Sequence, residues 1–123
     1  MIEVHADTFK LAQVFTISRG SRTAAEVLTV KVTRNGVTGW GECVPYARYD
    51  ETLQSVTDQI NSLPADIDRT ALQSALPAGA ARNAVDCALW DLEAKTKGLR
   101  VWDLIGVAAP KPEITAYTLS LDT

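Results

Sequence analysis

The chain has 123 residues, 46% of them hydrophobic and 22% charged, with 12 Lys and Arg against 15 Asp and Glu. That length and mixture suit one globular domain and exclude two full domains, as well as disordered, collagen-like and coiled-coil chains. A net charge of −3 argues against nucleic acid as a partner; without a signal peptide or an apolar run near the roughly 20 residues a bilayer needs, no membrane partner is expected and the cytoplasm is the expected location.

The first half reads as β. Ile2, Val4 and Ala6 alternate with Glu3 and His5 over residues 2–6, and Leu28, Val30 and Val32 alternate with Thr29, Lys31 and Thr33 over 24–34, the period of half-buried strands. Asn35-Gly36 tolerates positive φ at both centres of a type I′ turn, so a tight hairpin leads into the run Val37, Thr38, Trp40. Gly39 and Gly41, either side of Trp40, predict close packing against that strand or a bulge.

After Pro45 the period becomes helical. Leu53, Val56, Ile60 and Leu63 stripe a helix over 51–63 that Pro64 stops, and a shorter helix is predicted over 68–76. Over 78–97 the stripe consists mostly of small residues (Ala81, Ala84, Val85, Ala88, Leu89, Leu92), which permits close approach to a sheet, and Gly98 supplies the helix stop. A helical turn over 101–105 ends at Gly106, Ala109-Pro110-Lys111-Pro112 reads as an extended linker, and residues 113–121 alternate as a strand with no partner after it.

Cys43 and Cys87 lack metal-ligand spacing and are expected to be free and mostly buried. His5 is the single histidine, in a strand with no nucleophile motif nearby, and is read as a surface residue. Lys95-Thr96-Lys97 ends a helix, where residues two apart diverge and the amines complement the helix C-terminus. Asp86, Asp91 and Glu93 do not converge on one helix face, so solvated or locally paired acids are expected. No metal ligands and no catalytic residues are assigned to this chain.

The run from Ala80 to Lys95 (AARNAVDCALWDLEAK), followed by Gly98 and Leu104-Ile105-Gly106, resembles the N-terminal capping domain of the mandelate racemase and muconate lactonizing branch of the enolase superfamily. Gly41-Glu42-Cys43 with Pro45, the helices after it and the Pro linker fit the same domain, so the resemblance covers essentially the whole chain. Within that branch, Ile17 to Arg22, Gly41 to Tyr49 and Leu76 to Asn83 are similar to the dipeptide epimerases that act on L-Ala-D/L-Glu. The resemblance implies an α+β fold: a three-stranded antiparallel meander and a bundle of helices over 1–109, then a linker and the first strand of a (β/α) barrel over 110–123.

A barrel takes about 250 residues. By the resemblance it would be the chain's main partner and supply the Lys-x-Lys pair, the opposing lysine and the Mg²⁺ carboxylates for proton transfer at the Glu α-carbon, so this chain alone is expected to be inactive. The cap would contribute two loops closing over a small dipeptide substrate. A cap of a cycloisomerase or other acid racemase, and a free-standing binding module, are the alternatives. With its docking face uncovered, a homo-oligomer is expected.

Four substrate-binding residues are singled out. Arg19 and Arg22 are read in a polar loop between two strands, either as ligand-binding side chains or as solvated surface; the resemblance aligns Arg22 with the arginine that binds the substrate's glutamyl carboxylate. Tyr49, with Tyr46 and Arg48, belongs to the second loop, shielding the site or packing on the barrel rim. Thr118 matches a position whose hydroxyl meets substrate, although threonine is also ordinary in strands.

Overall fold

The computed structural model describes residues 1–18 and 20–121. Strands β1 (Ile2–Ile17), β2 (Gly20–Arg34) and β3 (Val37–Cys43) form one antiparallel sheet in the order β1-β2-β3. Helices α1 (Leu53–Asn61), α2 (Arg69–Ala75), α3 (Ala80–Lys97) and α4 (Val101–Leu104) follow, with a 3-10 turn at Ala47–Tyr49 before α1. The fold is thus the expected α+β meander and helices.

The β2–β3 turn follows from two residues. Asn35 and Gly36 take φ of 50° and 78°, and the ladder closes around them at Arg34 and Val37, the geometry a two-residue hairpin needs. The β1–β2 hairpin is much longer than the sequence predicts, and Arg22 lies within its ladder opposite Phe15, not in a loop. Register shifts between Lys10 and Phe15, so apolar residues on either side of the irregularity fall out of phase and the alternation that marks a strand is lost.

Helices α1 and α2 are capped by their own N-cap side chains. Thr52 and Ser55 form a reciprocal capping box on α1, with both backbone-to-hydroxyl bonds at 3.0 Å. On α2 the Asp68 side chain accepts from the Ala71 N–H at 2.7 Å. Helix α3 stops at Gly98, left-handed at φ 67°, with the Leu99 N–H returning to the Ala94 carbonyl at 2.9 Å.

The core lies between sheet and α3. Leu28, Val30 and Val32 from β2 meet Val56, Ile60, Leu72, Ala84, Val85 and Ala88; burying each of the larger side chains contributes about 1.5–3 kcal/mol. Contact is closest where glycine faces alanine. A Cβ on Gly41 would stand 2.0 Å from the Ala84 carbonyl oxygen, and one on Gly39 2.1 Å from that of Ala88. Only two glycines on β3 let α3 lie against the sheet at this distance, which decides the sequence alternatives in favour of close packing.

Two expectations fail here. Residues 113–121 form no ladder, and Ile114, Tyr117 and Leu119 are exposed. Only their end touches the sheet: the Leu121 N–H donates to the Thr16 carbonyl at 2.8 Å, and Ser120 Oγ accepts from the Thr16 N–H at 2.9 Å. An alternating segment becomes a strand only beside a partner strand. Both cysteines are free, but only Cys43 is buried; Cys87 is exposed because its place on α3 falls outside the apolar stripe.

Candidate functional site at the end of the long hairpin

The far end of the β1–β2 hairpin and the segment after β3 meet at an open cleft of about 620 Å³, lined by Phe15, Ile17, Ser21 and Arg22 on one side and Tyr46, Ala47 and Arg48 on the other. Arg22 is held by the rigid ladder; Arg48 sits in the 3-10 turn, which closes through the Tyr49 N–H to the Tyr46 carbonyl at 2.8 Å and ends on Asp50 at φ 58°. A bond of 2.8 Å between the Thr16 and Ser21 hydroxyls ties the hairpin strands beside the cleft.

The charge of this cleft is one-sided. Arg22 and Arg48 both line it, neither makes an ion pair among the described residues, and no Asp or Glu lies on its wall. In a chain of net charge −3, two unengaged guanidinium groups over an apolar floor make a place for a carboxylate, which a guanidinium fork binds bidentately. Tyr49 stands one step back, its ring centroid 5.8 Å from that of Tyr46, and is exposed.

Thr118 is exposed and does not line the cleft. Arg19 lies outside the described residues. Of the four substrate-binding candidates, then, the structure brings Arg22 onto the cleft, sets Tyr49 behind its wall and leaves Thr118 away from it. Sequence reading missed Glu51, whose carboxylate joins the cleft segment to α3: Oε1 accepts from the Ala80 N–H at 2.7 Å and Oε2 from the Tyr46 N–H at 3.1 Å. The available signal was the uncapped Gly79, which offers no side chain to the start of α3.

The other chemistry-bearing residues are engaged locally. Asp91 accepts from the Trp40 N–H at 2.8 Å and from Lys95 at 2.5 Å, while Glu93 pairs with Lys97 and with Arg69, each at 2.7 Å. Those two bonds hold the Glu93 carboxyl below the usual carboxylate range. Lys95 and Lys97 each pair with an acid one turn earlier on α3, and Lys95 also donates to the Thr38 carbonyl at 3.1 Å. Burial, assisted by the charges of Glu51 and Glu42, pushes the Cys43 thiol up to about 11. Among the described residues no three His, Cys, Asp or Glu side chains are grouped to hold a metal ion.

Sheet and helix order match one family. Residues 1–106 fit the profile of the mandelate racemase / muconate lactonizing enzyme N-terminal domain, and the chain belongs to that family. It is 44% identical over 126 residues to the L-Ala-D/L-Glu epimerase of Escherichia coli, covering 99% of this chain and 39% of that one. It is 46% identical over 91 residues to an N-acetyl-D-glutamate racemase from Pseudoalteromonas, covering 69% and 29%. A solved enolase family member from Agrobacterium tumefaciens with homology to dipeptide epimerases, bound to sodium and L-Ala-L-Glu, superposes with a TM-score of 0.90 at 47% identity, covering 98% of this chain and 38% of that one. A dipeptide epimerase from Enterococcus faecalis complexed with Mg and L-Leu-L-Tyr superposes with a TM-score of 0.70 at 26% identity, covering 84% and 33%. The chain thus spans less than two fifths of the length of these relatives.

Proposed function

We propose that this chain is the capping domain of a dipeptide epimerase acting on L-Ala-D/L-Glu, and that Arg22 receives the glutamyl side-chain carboxylate. The observation that carries the reading is the cleft with two guanidinium groups that make no ion pair, and with no carboxylate on its wall, among the described residues. Arg22 donates two N–H groups to the carboxylate from a fixed strand position, and Tyr46 and Arg48 approach from the other wall and screen it from water. Tyr49 supports Tyr46 from behind. Thr118 joins the site only when the segment that carries it is brought to it by a barrel.

The proton transfers belong to groups this chain does not contain. Magnesium, present with the Enterococcus faecalis relative, finds no suitable donor set among the described residues, and no step through it is assigned to them. The barrel is the partner that would carry both. An N-acylated glutamate presents the same carboxylate, and the Pseudoalteromonas relative makes it the second substrate to try.

The test is a hybrid enzyme in which this chain replaces the matching portion of the Escherichia coli epimerase. Exchange of the Glu α-proton with D₂O is followed for L-Ala-L-Glu, N-acetylglutamate and L-Ala-L-Leu. The reading expects turnover of the first and its selective loss in Arg22→Ala; equal losses for the glutamyl and leucyl dipeptides would reject it.

A further inference from the structure

We infer that Glu51 is a positioning residue for the cleft, a clamp that fixes the Tyr46–Arg48 wall relative to Arg22 by fastening it to the start of α3. This rests on the cleft assigned above, and it names a residue that touches no substrate.

The geometry is specific. Segment 44–50 leaves the sheet at Cys43 and carries Tyr46 and Arg48 onto the cleft, but its own backbone bonds are those of one 3-10 turn, Tyr49 to Tyr46 and Asp50 to Ala47. A single such turn is weakly self-supporting. Glu51 adds a long-range restraint, since its two oxygens accept from residues 5 and 29 positions away, the Tyr46 and Ala80 N–H groups. Ala80 is the first residue of an 18-residue helix whose N-cap, Gly79, makes no side-chain capping bond. The carboxylate therefore meets an unsatisfied helix N–H and the positive end of the helix dipole together. Because α3 is itself seated on β3 through Gly39 and Gly41, the wall carrying Arg48 is referenced to the same sheet that carries Arg22.

Gly79 completes the device. A Cβ there would lie 2.9 Å from Glu51 Oε1, so the glycine leaves room for the carboxylate to reach the helix end. This gives two independent ways to release the clamp: Glu51→Gln, which replaces one acceptor oxygen with a donor, and Gly79→Ala, which displaces the carboxylate while keeping its charge.

The experiment has two readouts. Amide hydrogen exchange on the 123-residue chain is measured for both variants, and the expected result is about tenfold faster exchange at the Tyr46 and Ala80 N–H groups, the equivalent of one charge-assisted bond, with Val30 and Leu89 unchanged. In the hybrid enzyme both variants should raise KM for L-Ala-L-Glu by about tenfold with kcat retained, a split that a merely stabilising residue would not produce. Unchanged exchange at Tyr46 in both variants, or a fall in Tm and kcat without a change in KM, would overturn the proposal. An unmutated hybrid inactive on glutamyl substrates would defeat the proposed function instead, and the exchange measurement would still decide whether Glu51 fixes the loop.

Discussion

Arg22 stands in a ladder opposite Phe15, and the carboxylate-binding role proposed for it gains from that place, because a strand position spends none of the binding energy on ordering the backbone. In the hybrid, Arg22→Ala is expected to lower kcat/KM for L-Ala-L-Glu by about 10- to 150-fold, the range of about 1.5–3 kcal/mol for a hydrogen bond to a charged group. Arg22→Lys should recover only part of it, since an ammonium makes no fork. Steady-state kinetics with L-Ala-L-Leu as control checks both. The cysteines give a second residue-scale expectation. Cys43 is buried with its thiol pushed up to about 11, whereas Cys87 is exposed. Since the thiolate is the reactive form, a maleimide at pH 7.5 should label Cys87 alone in the native protein and both after denaturation, as mass spectrometry will show.

At the scale of elements, the seat of α3 on β3 is the contact least tolerant of change. Gly41→Ala sets a Cβ 2.0 Å from a helix carbonyl oxygen, so helix and strand must separate; overpacking of this kind costs about 1–3 kcal/mol. A urea midpoint lowered accordingly, with the m value kept, is the expected outcome. Helix α2 is tied to α3 differently, through Glu93, which pairs with Lys97 and Arg69 while the Arg69 guanidinium lies 3.5 Å over the Trp90 ring. The folded carboxyl titrates below its ordinary value. A lowered folded pKa means stability that is present above the unfolded carboxylate pKa of about 4.3 and is lost as pH falls through the folded value. Replacing Glu93 by Gln should therefore remove part of the stability lost on acidification below about pH 4.3, flattening that limb of a Tm-against-pH curve while leaving its shape between pH 6 and 8 intact. The pairs are partly exposed, so the effect at neutral pH should be small.

For the whole molecule, the segment 113–121 carries a concentrated run of exposed apolar side chains: Ile114, Tyr117, Leu119 and Leu121 all face solvent. An alternating segment without a ladder is a template for pairing, and the 123-residue chain is expected to self-associate through it. Sedimentation equilibrium should show association that Ile114→Lys with Leu119→Lys abolishes; association unaltered by that pair of changes would place the contact elsewhere. The same chain, alone, is expected to catalyse no exchange of the Glu α-proton with D₂O, with or without Mg²⁺, because the proposed function assigns the proton-moving groups to the barrel.

Local chemistry made much of this protein legible before any coordinates. Asn35-Gly36 can only turn tightly, the small-residue stripe of α3 can only lie close to something flat, and Gly98 can only end a helix, since each depends on neighbours within a few positions. The AARNAVDCALWDLEAK run carried the family for the same reason: it records one helix face and its seat. What the sequence left open lies between distant residues. The register shift at Lys10 to Phe15 hides the long hairpin, because a slip in phase erases the alternation that marks a strand. Residues 113–121 show the converse, an alternating segment that stays unpaired because the ladder depends on a partner and not on the segment. Only tertiary structure sets Arg22 facing Arg48, and only tertiary structure brings Glu51 to Ala80, 29 positions along the chain. A side chain's type fixes what it can bind; the packing of sheet and helix fixes what stands within its reach.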